Sequence, residues 1–310
     1  MHAAVLTTFK GKGQIPDSHP LGCGVLGRSG TPVVSYFMNE SDLLLVIGAS
    51  FSNHTGITPK KHTIQIDCDP LALSKFHKID VPAFGEISRT VSLLHNEHIR
   101  LSKNKVNQAP EIANRWNIWK AEKTKRLKES RGKGVSSSYI FDVLTRKAPE
   151  NAIMCVDVGN NAYSFGRYFE SKHHTFLMSG YLDSMGFAIP ASMGAWAAAG
   201  NERPIIAVAG DGGACQYLSE LTTIVKYKMP VKIIILNNNE LGKITKEQRA
   251  GGWEKYQTDL INPDFAQFAD SCGALGLKVD KSEDLDESLE ILFAYNGPAL
   301  LVIKADVKLV

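Results

Sequence analysis

Cysteine is scarce in this chain, and the few cysteines that occur follow no pattern. There are five of them, an odd number, and no two form a Cys-x-x-Cys pair. This argues against a disulfide framework and against a cysteine-rich zinc site, and it predicts a reducing, cytoplasmic location. The nine histidines show no metal-ligand spacing, so a zinc or iron site is not expected.

Long apolar runs and a strong net charge are also missing. No stretch reaches the roughly 18 consecutive apolar residues of a membrane-spanning helix, and the amino terminus lacks the apolar region of a signal peptide. The net charge is only +3, although residues 101–135 contain ten Lys or Arg against three Glu. Trp116 and Trp119 in this stretch could stack on bases, but no nucleic-acid-binding module accompanies them. A solvated connection between domains is therefore favoured over nucleic-acid binding.

Short apolar runs alternate with helix-length stretches along the whole chain. The six clearest runs are Leu43–Ile47, Thr63–Ile66, Ala152–Val158, Ile205–Ala209, Val231–Leu236 and Ala299–Ile303. Such alternation predicts an α/β fold with two parallel-sheet domains and helices on both faces. We expect one domain at 1–100, a basic linker at 101–135 with a solvated helix near 112–130, and a second domain at 136–310.

Two polar motifs follow two successive apolar runs. Gly210-Asp211-Gly212 ends one run, and Asn237-Asn238-Asn239 ends the next. The residues between them leave room for a helix at about 214–228, so both loops should open at one edge of a parallel sheet. There a carboxylate, an amide oxygen and a main-chain carbonyl would suit Mg²⁺ or Ca²⁺, and Gly212 and Gly213 would let backbone N–H groups approach phosphates. Either motif alone more often marks an ordinary turn, but the pair at this spacing favours a site.

This pair of motifs resembles the diphosphate-binding motif of the thiamine-diphosphate enzymes. The resemblance implies thiamine diphosphate and Mg²⁺ as cofactors, with Asp211, the side chain of Asn238 and the main-chain carbonyl of Glu240 as metal ligands. Residues 179–190 resemble the segment that supports the centre of the cofactor. There Met185 would be the apolar wedge that bends the cofactor, and the carbonyl of Asp183, where the family usually has Gly, would accept from its amino group. The alternative for Met185 is an ordinary core methionine on the following helix.

Two further positions are implied by the same resemblance. Gly159 and Asn160 follow a buried strand and match a loop that reaches the diphosphate, although a strand-end turn needs no ligand to explain it. Glu247 matches the active-site Glu of pyruvate oxidases, where acetolactate synthases have a Trp. The alternative for Glu247 is a solvated helix residue in a Lys-Glu-Gln-Arg run.

The first hundred residues resemble the middle domain of these enzymes. In the flavin-containing branches this domain holds FAD through a glycine-ended turn and an Asp-x-Asp strand end, which correspond here to Gly48, Ser50, Phe51 and Asp67. The alternative is a nucleotide-free domain, because the acetolactate-synthase branch has arginines and aspartates in a turn where this chain has other residues.

The function implied by the resemblance is thiamine-diphosphate-dependent decarboxylation of a 2-oxoacid such as pyruvate, in the manner of pyruvate oxidases. An acetolactate synthase subunit, a catalytically silent cofactor-binding subunit and an unrelated nucleotide-binding protein are the alternatives. Family members activate the cofactor with a Glu from the pyrimidine-binding domain of a neighbouring chain, and we find no such domain in this sequence. We therefore expect a fragment or half-enzyme, inactive by itself, that works as a homo-oligomer or with a separate chain carrying that domain.

Overall fold

The computed structural model describes residues 2–49, 51–52, 55–101 and 106–308. The chain divides into two compact units. The first comprises Met1–Phe9 and His19–Trp119, and the second comprises Lys10–Ser18 and Lys120–Val310. Within the described ranges, no helix is long and apolar enough to cross a membrane.

The first unit contains a three-stranded parallel sheet and a separate two-stranded parallel ribbon. Its elements are β1 (Val5–Thr7), β2 (Gly22–Val25), α1 (Pro32–Glu40), β3 (Leu43–Ile47), β4 (His62–Asp67), β5 (Val81–Phe84) and α2 (Ile87–Arg100). The sheet has the order β3-β4-β5, and the ribbon pairs β1 with β2. Helix α1 buries Val33 and Val34, whereas α2 buries none of its side chains.

The second unit is built on one six-stranded parallel sheet. Its elements are α4 (Ser137–Lys147), β6 (Ile153–Val156), α5 (Asn160–Tyr168), β7 (Thr175–Met178), α6 (Ala188–Ala199), β8 (Ile205–Gly210), α7 (Asp211–Gln216), α8 (Glu220–Lys226), β9 (Lys232–Asn237), α9 (Gly242–Ala250), α10 (Phe265–Cys272), β10 (Leu275–Val279), α11 (Leu285–Ala294) and β11 (Ala299–Lys304). The strand order is β10-β11-β9-β8-β6-β7. The α/β fold with parallel sheets and flanking helices is thus confirmed.

The strand order of the second unit fixes where a ligand is expected. From β6 the chain moves outward to β7 and then returns to place β8 on the other side of β6. The direction of winding therefore reverses between β6 and β8, and ligands of open α/β sheets bind at the carboxyl ends of strands at such a switch point. Residues 157–161 and 210–213 follow these two strands.

The predicted strands all form, but the sequence analysis misses five strands of the described residues, the ribbon strands β1 and β2 and three edge strands of the larger sheets. The three edge strands are β5, β7 and β10. An edge strand is half-exposed, so its sequence mixes apolar and polar residues and lacks the continuous apolar run of a central strand. The helix predicted at 214–228 is also wrong in detail, since it is split into α7 and α8. The ring of Tyr217, at the break, packs against the backbone of Gly186.

Helix α3, Ala109–Arg126, differs from the solvated helix predicted within a linker at 101–135. Ile112 and Trp119 are buried on one of its faces. The ammonium of the buried Lys123 lies 2.9 Å from Asp142 and 2.9 Å from Glu170. The division between the two units falls inside this helix, after Trp119. Apart from Lys123, none of the basic side chains of this helix is buried, and apolar residues at helical spacing bury its other side.

Residues 10–18 belong to the second unit, although the predicted boundary puts them in the first domain. The carboxylate of Asp17 accepts hydrogen bonds from the backbone N–H of Ser171 at 2.6 Å and from Lys12 Nζ at 2.9 Å. Both members of this ion pair are buried. Because Ser171 is 154 positions away from Asp17, no local sequence pattern could reveal the contact.

Candidate functional site

The turns that follow β8 and β9 meet at one edge of the six-stranded sheet. Asp211 comes directly after β8, and its Oδ2 accepts a hydrogen bond of 2.7 Å from the backbone N–H of Asn239. The two motifs that the sequence analysis paired are therefore joined by a direct contact. Parallel strands β8 and β9 are hydrogen-bonded neighbours, so their carboxyl ends lie side by side.

Asp211 is a buried carboxylate, with 3% of its surface exposed. Its Oδ1 accepts a hydrogen bond of 3.0 Å from the backbone N–H of Gly212. Burial raises the pKa of Asp211 above its ordinary value, and the donors around it oppose this effect. A buried negative charge of this kind favours a cation beside it and repels a diphosphate unless a cation lies between them.

Three glycines keep the floor of the site free of side chains. A β-carbon added to Gly213 would lie 2.4 Å from Asp157 Oδ2, and one added to Gly212 would lie 2.9 Å from the side chain of Leu241. At Gly242 the added atom would lie 2.9 Å from Asn160 Nδ2. At Gly213 the added atom would meet a buried carboxylate, so a side chain is excluded there, whereas at Gly212 and Gly242 it would displace the end of a flexible side chain.

The loop after β6 joins the same cluster. Gly159 has a φ of 107° and precedes α5, a backbone conformation that favours glycine. Asn161 Nδ2 donates a hydrogen bond of 3.0 Å to the carbonyl of Asp157, which fixes the turn. Asn160 and Asn238 both approach Gly242, at 2.9 Å and 3.7 Å from its added β-carbon. Gly159, Asn160 and Asn238, predicted separately, are thus brought together.

Met185 lies over the turn after β8, outside the helical core. Helix α6 begins at Ala188, three residues later, so Met185 is not a core methionine of that helix. Its side chain is 38% exposed, and its Cε lies 3.4 Å from a β-carbon added to Gly212. Asp183 has a φ of 51°, a left-handed conformation that explains why glycine is usual at this position in the family. The placement suits an apolar wedge above a diphosphate turn.

Asp157 was not singled out by the sequence analysis. It is 1% exposed, and both of its carboxylate oxygens lie 3.0 Å from the backbone nitrogen of Gly186. Burial raises its pKa to about 6, against the effect of backbone N–H donors at 158 and 186–188. This carboxylate fastens the segment after Met185 to the end of β6. The sequence signal was an Asp at the end of an apolar run, which has the same form as the signal at Asp211.

Asn262 is the second residue that the sequence analysis missed. Its Nδ2, which carries two N–H donors, lies within hydrogen-bond distance of three oxygens, Asp211 Oδ2 at 2.8 Å, Asn237 Oδ1 at 2.9 Å and Asn239 Oδ1 at 3.0 Å. It lies in the loop between α9 and α10, 51 positions after Asp211. No local pattern marks it, because its role depends only on where the loop returns.

The two glutamates predicted for the site differ in surroundings. The side chain of Glu240 forms an ion pair of 2.6 Å with Lys255, and its main-chain carbonyl accepts from the N–H of Gly242 at 2.8 Å, which leaves a lone pair on that oxygen. Glu247 lies on α9 with 56% of its side chain exposed and is paired with Lys243 one turn earlier. Its role as an active-site carboxylate stays a prediction.

The candidate nucleotide residues of the first unit lie at adjacent strand ends. Gly48, with a φ of 57°, donates its N–H to the carbonyl of Ile66 at 2.9 Å, next to Asp67. Asp67 Oδ1 accepts from the N–H of Asp69 at 2.9 Å. Phe51 is buried with its ring edge-to-face against His77. Ser50 lies outside the described residues.

The oxygens at the ends of β8 and β9 fit a hard divalent cation. Asp211 supplies a carboxylate, Asn238 an amide oxygen and Glu240 a carbonyl, and such oxygen donors suit Mg²⁺ when phosphates complete the shell. Across residues 2–49, 51–52, 55–101 and 106–308, no group of three His, Cys, Asp or Glu side chains gathers at a metal-binding spacing. A cation at this edge would therefore depend on one carboxylate together with neutral oxygens and the phosphates of a ligand.

Comparison with known proteins covers both units. The central-domain profile of thiamine pyrophosphate (thiamine diphosphate) enzymes matches residues 1–94, and the profile of their C-terminal TPP binding domain matches residues 157–303. The putative thiamine pyrophosphate-containing protein YdaP of Bacillus subtilis is 33% identical over 287 residues, which are 91% of this chain and 49% of that protein.

Two acetolactate synthases show a similar degree of likeness. The acetolactate synthase large subunit of Pyropia yezoensis is 30% identical over 309 residues, 96% of this chain and 51% of that subunit. A probable acetolactate synthase large subunit of Methanocaldococcus jannaschii is 32% identical over 317 residues, 97% of this chain and 53% of that protein. The chain spans about half the length of the curated relatives it matches. With two matching domain profiles and a glycine-lined oxygen cluster where a diphosphate would bind, the chain belongs to the thiamine pyrophosphate enzyme family.

Proposed function

We propose that this chain supplies the diphosphate- and metal-binding part of an enzyme that decarboxylates a 2-oxoacid such as pyruvate. The observation that carries the proposal is the hydrogen bond of 2.7 Å from the Asn239 N–H to Asp211, which unites the two ligand-bearing turns beside a topological switch point. When bound, thiamine diphosphate supplies a carbon nucleophile for the ketone of the substrate and accepts the electrons left when CO₂ departs.

The residues of this chain hold and orient that cofactor. Asp211, Asn238 and the carbonyl of Glu240 would hold Mg²⁺, and the backbone N–H group at Gly213 would meet the diphosphate oxygens, whereas that of Gly212 donates to Asp211 Oδ1. Met185 would pack against the cofactor as an apolar support and would help to orient it for proton transfer.

The anchor for this wedge is the carboxylate of Asp157. It accepts from the N–H of Gly186, immediately after Met185, and it lies against Gly213. One buried group therefore links the wedge to the diphosphate turn, so the two supports of the cofactor keep a fixed spacing. Preorganisation of this kind lowers the cost of reaching a reactive geometry.

The branch of the family is proposed from Glu247. A carboxylate at this place favours a pyruvate-oxidase-like reaction, in which it would handle protons near the substrate. Acetolactate synthesis is the second candidate, and it is favoured by relatives about 30% identical that carry that name. The products formed from pyruvate by the assembled enzyme separate the two, since acetolactate retains two pyruvate-derived units and oxidation yields an acetyl product.

A complete active site is proposed to need a second component. In the resemblance that the motifs imply, a Glu from a pyrimidine-binding domain activates the cofactor. We infer a homo-oligomer, or a partner chain, in which that domain faces the carboxyl edge of the six-stranded sheet. All five cysteines are free, which supports a reducing, cytoplasmic location.

Calorimetry with thiamine diphosphate and Mg²⁺ tests the cofactor assignment. The chain should bind thiamine diphosphate only in the presence of the metal. Asp211→Ala should weaken that binding at least about 100-fold, because it removes the one charged ligand. Asp280→Ala, which alters an exposed aspartate after β10, is the matched control and should bind as the parent chain does. Equal binding by the Asp211 variant would contradict the proposed metal site.

FAD binding by the first unit stays a prediction. Gly48 and Asp67 lie at neighbouring strand ends, as a nucleotide site requires, but the Asp67 carboxylate is already bonded to the N–H of Asp69. Titration of FAD with the chain should quench flavin fluorescence if the unit binds it, and Asp67→Ala should abolish the quenching. Unchanged fluorescence would favour the nucleotide-free alternative.

A further inference from the structure

We propose that Asn262 is a positioning residue that determines which oxygen of Asp211 faces the bound cation. The inference rests on the proposed function, because it concerns the same metal site. It assigns a role to a loop residue that belongs to neither of the two motifs. The loop is the segment 251–264 between α9 and α10.

The amide nitrogen of Asn262 is surrounded by oxygens from both motifs. It lies 2.8 Å from Asp211 Oδ2, 2.9 Å from Asn237 Oδ1 and 3.0 Å from Asn239 Oδ1. On its other side, Asn262 Oδ1 accepts from the thiol of Cys215 at 3.6 Å. The thiol donor beside Oδ1 and the oxygen acceptors beside Nδ2 both require the same orientation of the amide.

Counting lone pairs on Asp211 shows what this contact does. Oδ2 accepts from the N–H of Asn239 at 2.7 Å and from Asn262 at 2.8 Å, so both of its lone pairs are used. Oδ1 accepts from the N–H of Gly212, and the N–H of Asn238 also donates to this carboxylate. Among the described residues, Oδ2 is therefore the oxygen held by a side-chain donor, and Oδ1 is held by backbone alone. The arrangement presents Asp211 to a cation through Oδ1.

Asn262 is itself held by ordered neighbours. The N–H of Leu260 donates to the carbonyl of Asn239 at 2.9 Å, which ties the loop to the turn after β9. Two residues after Asn262, Asp264 caps α10 by accepting from the N–H groups of Ala266 and Gln267. Pro263, between them, restricts the backbone further. The amide is therefore placed by a strand-end turn on one side and by a helix cap on the other.

Without the Asn262 donor, Asp211 would lose a charge-assisted hydrogen bond that opposes rotation of its carboxylate. The ion would then meet a ligand that must be ordered on binding, and such ordering lowers affinity. Residues that orient a metal ligand typically change metal affinity by about 10- to 100-fold.

The test uses the full chain with Asn262→Leu and Asn262→Ala. Leu matches the shape of Asn without a donor, and Ala removes the side chain, so a packing failure in one variant does not decide the outcome. Ile261→Ala is the control, because Ile261 is the adjacent residue and is fully exposed. The affinity for Mg²⁺ is measured by calorimetry at a fixed concentration of thiamine diphosphate, and bound Mn²⁺ is followed by electron paramagnetic resonance.

We expect the Asn262 variants to bind Mg²⁺ about tenfold more weakly and to change the Mn²⁺ spectrum. The thermal unfolding midpoint of the metal-free chain should stay close to that of the control, whereas a merely structural role would lower the midpoint and spare the affinity of the folded chain. If the parent chain binds and the Asn262 variants bind equally well, the positioning role is overturned. If neither the parent chain nor the control shows Mg²⁺-dependent binding, the proposed function itself fails.

Discussion

The strands of the two units have similar apolar runs in the sequence, but their side chains are buried to different extents. In the second unit the central strand β9 is buried along most of its length, and Ile234 is 1% exposed. In the first unit the strand β3 has a single buried residue, Val46, and Ile47 is 41% exposed. Helix α2 of the first unit buries no side chain at all. An apolar run therefore predicts a strand but does not tell how much of that strand is buried.

This difference has a consequence for the site. Asp157 and Asp211 follow strands packed within a continuous core, so their burial is enforced and their oxygens are held by backbone donors. A strand end that is fixed in this way can keep ligand groups in place before a ligand binds. The second unit therefore has the rigid frame that cofactor chemistry requires.

The largest expected effect is the difference in stability between matched substitutions in the two sheets, which tests whether their burial differs. We expect Ile234→Ala to lower the free energy of unfolding by about 2–5 kcal/mol, because it leaves a cavity in a packed core. Ile47→Ala should cost less than about 1 kcal/mol, since much of its side chain already contacts water. Chemical denaturation combined with hydrogen exchange of β9 and β3 measures both. Similar losses of unfolding free energy at the two positions would mean that the difference in burial does not affect stability.

A pH titration should show the next largest effect. Burial, followed by the positive charges of Lys12 and Lys172, lowers the pKa of His174 to about 4. The unfolded chain takes up a proton near pH 6.5 and the folded chain does not. The stabilisation is therefore complete above pH 6.5, and it is lost as the pH falls toward 4, by up to about 3 kcal/mol.

The variant His174→Phe isolates this contribution. The ring of His174 packs with Phe169 and Phe176, so Phe keeps the aromatic packing of the second unit and removes the titration. Asp157 acts in the opposite direction, because its raised pKa favours the folded state as the pH falls from about 6. The difference in unfolding free energy between parent and variant should therefore be followed from pH 7.5 to 4. A difference that does not change with pH would refute the assignment.

Alanine substitutions of one glycine in each unit should have the smallest effect on stability, and they test whether cofactor binding depends on the second unit alone. Gly213→Ala should cost about 1–3 kcal/mol and weaken cofactor binding, because the added atom meets the Asp157 carboxylate at 2.4 Å. Gly48→Ala should cost about 1 kcal/mol for its positive φ and should leave thiamine diphosphate binding unchanged. Thermal unfolding and calorimetry on both variants separate strain from loss of the site. Equal cofactor binding by the Gly213 variant and the parent chain would contradict the glycine-lined floor.

The sequence predicted the central strands better than it predicted their surroundings. Continuous apolar runs mark strands such as β8 and β9, because a strand buried on both faces needs apolar residues at every position. The edge strands β7 and β10 and the break between α7 and α8 escaped, since half-exposed strands and packing against Tyr217 leave no periodic signal. The basic stretch contains the predicted helix, α3, but the burial of Ile112, Trp119 and Lys123 on one face was not foreseen, because composition does not separate the two faces of a helix.

The site shows the same division between what is local and what is not. Strand-end turns rich in Gly, Asp and Asn are properties of short segments, so Asp211, Asn238 and Gly159 could be selected from the sequence alone. Asp157 could also have been selected, since it ends an apolar run as Asp211 does.

Asn262 could not have been found in that way. The amino-acid sequence by itself determined the parallel α/β pattern, the two motifs and the glycines, because strand burial and turn geometry are encoded within a few neighbouring residues. Only the tertiary structure decided that a distant loop places the Asn262 amide beside Asp211 and that Asp157 holds the segment after Met185. It also decided which sheet has its strands buried. These outcomes depend on contacts between residues far apart in the chain, and the packing of whole elements sets them.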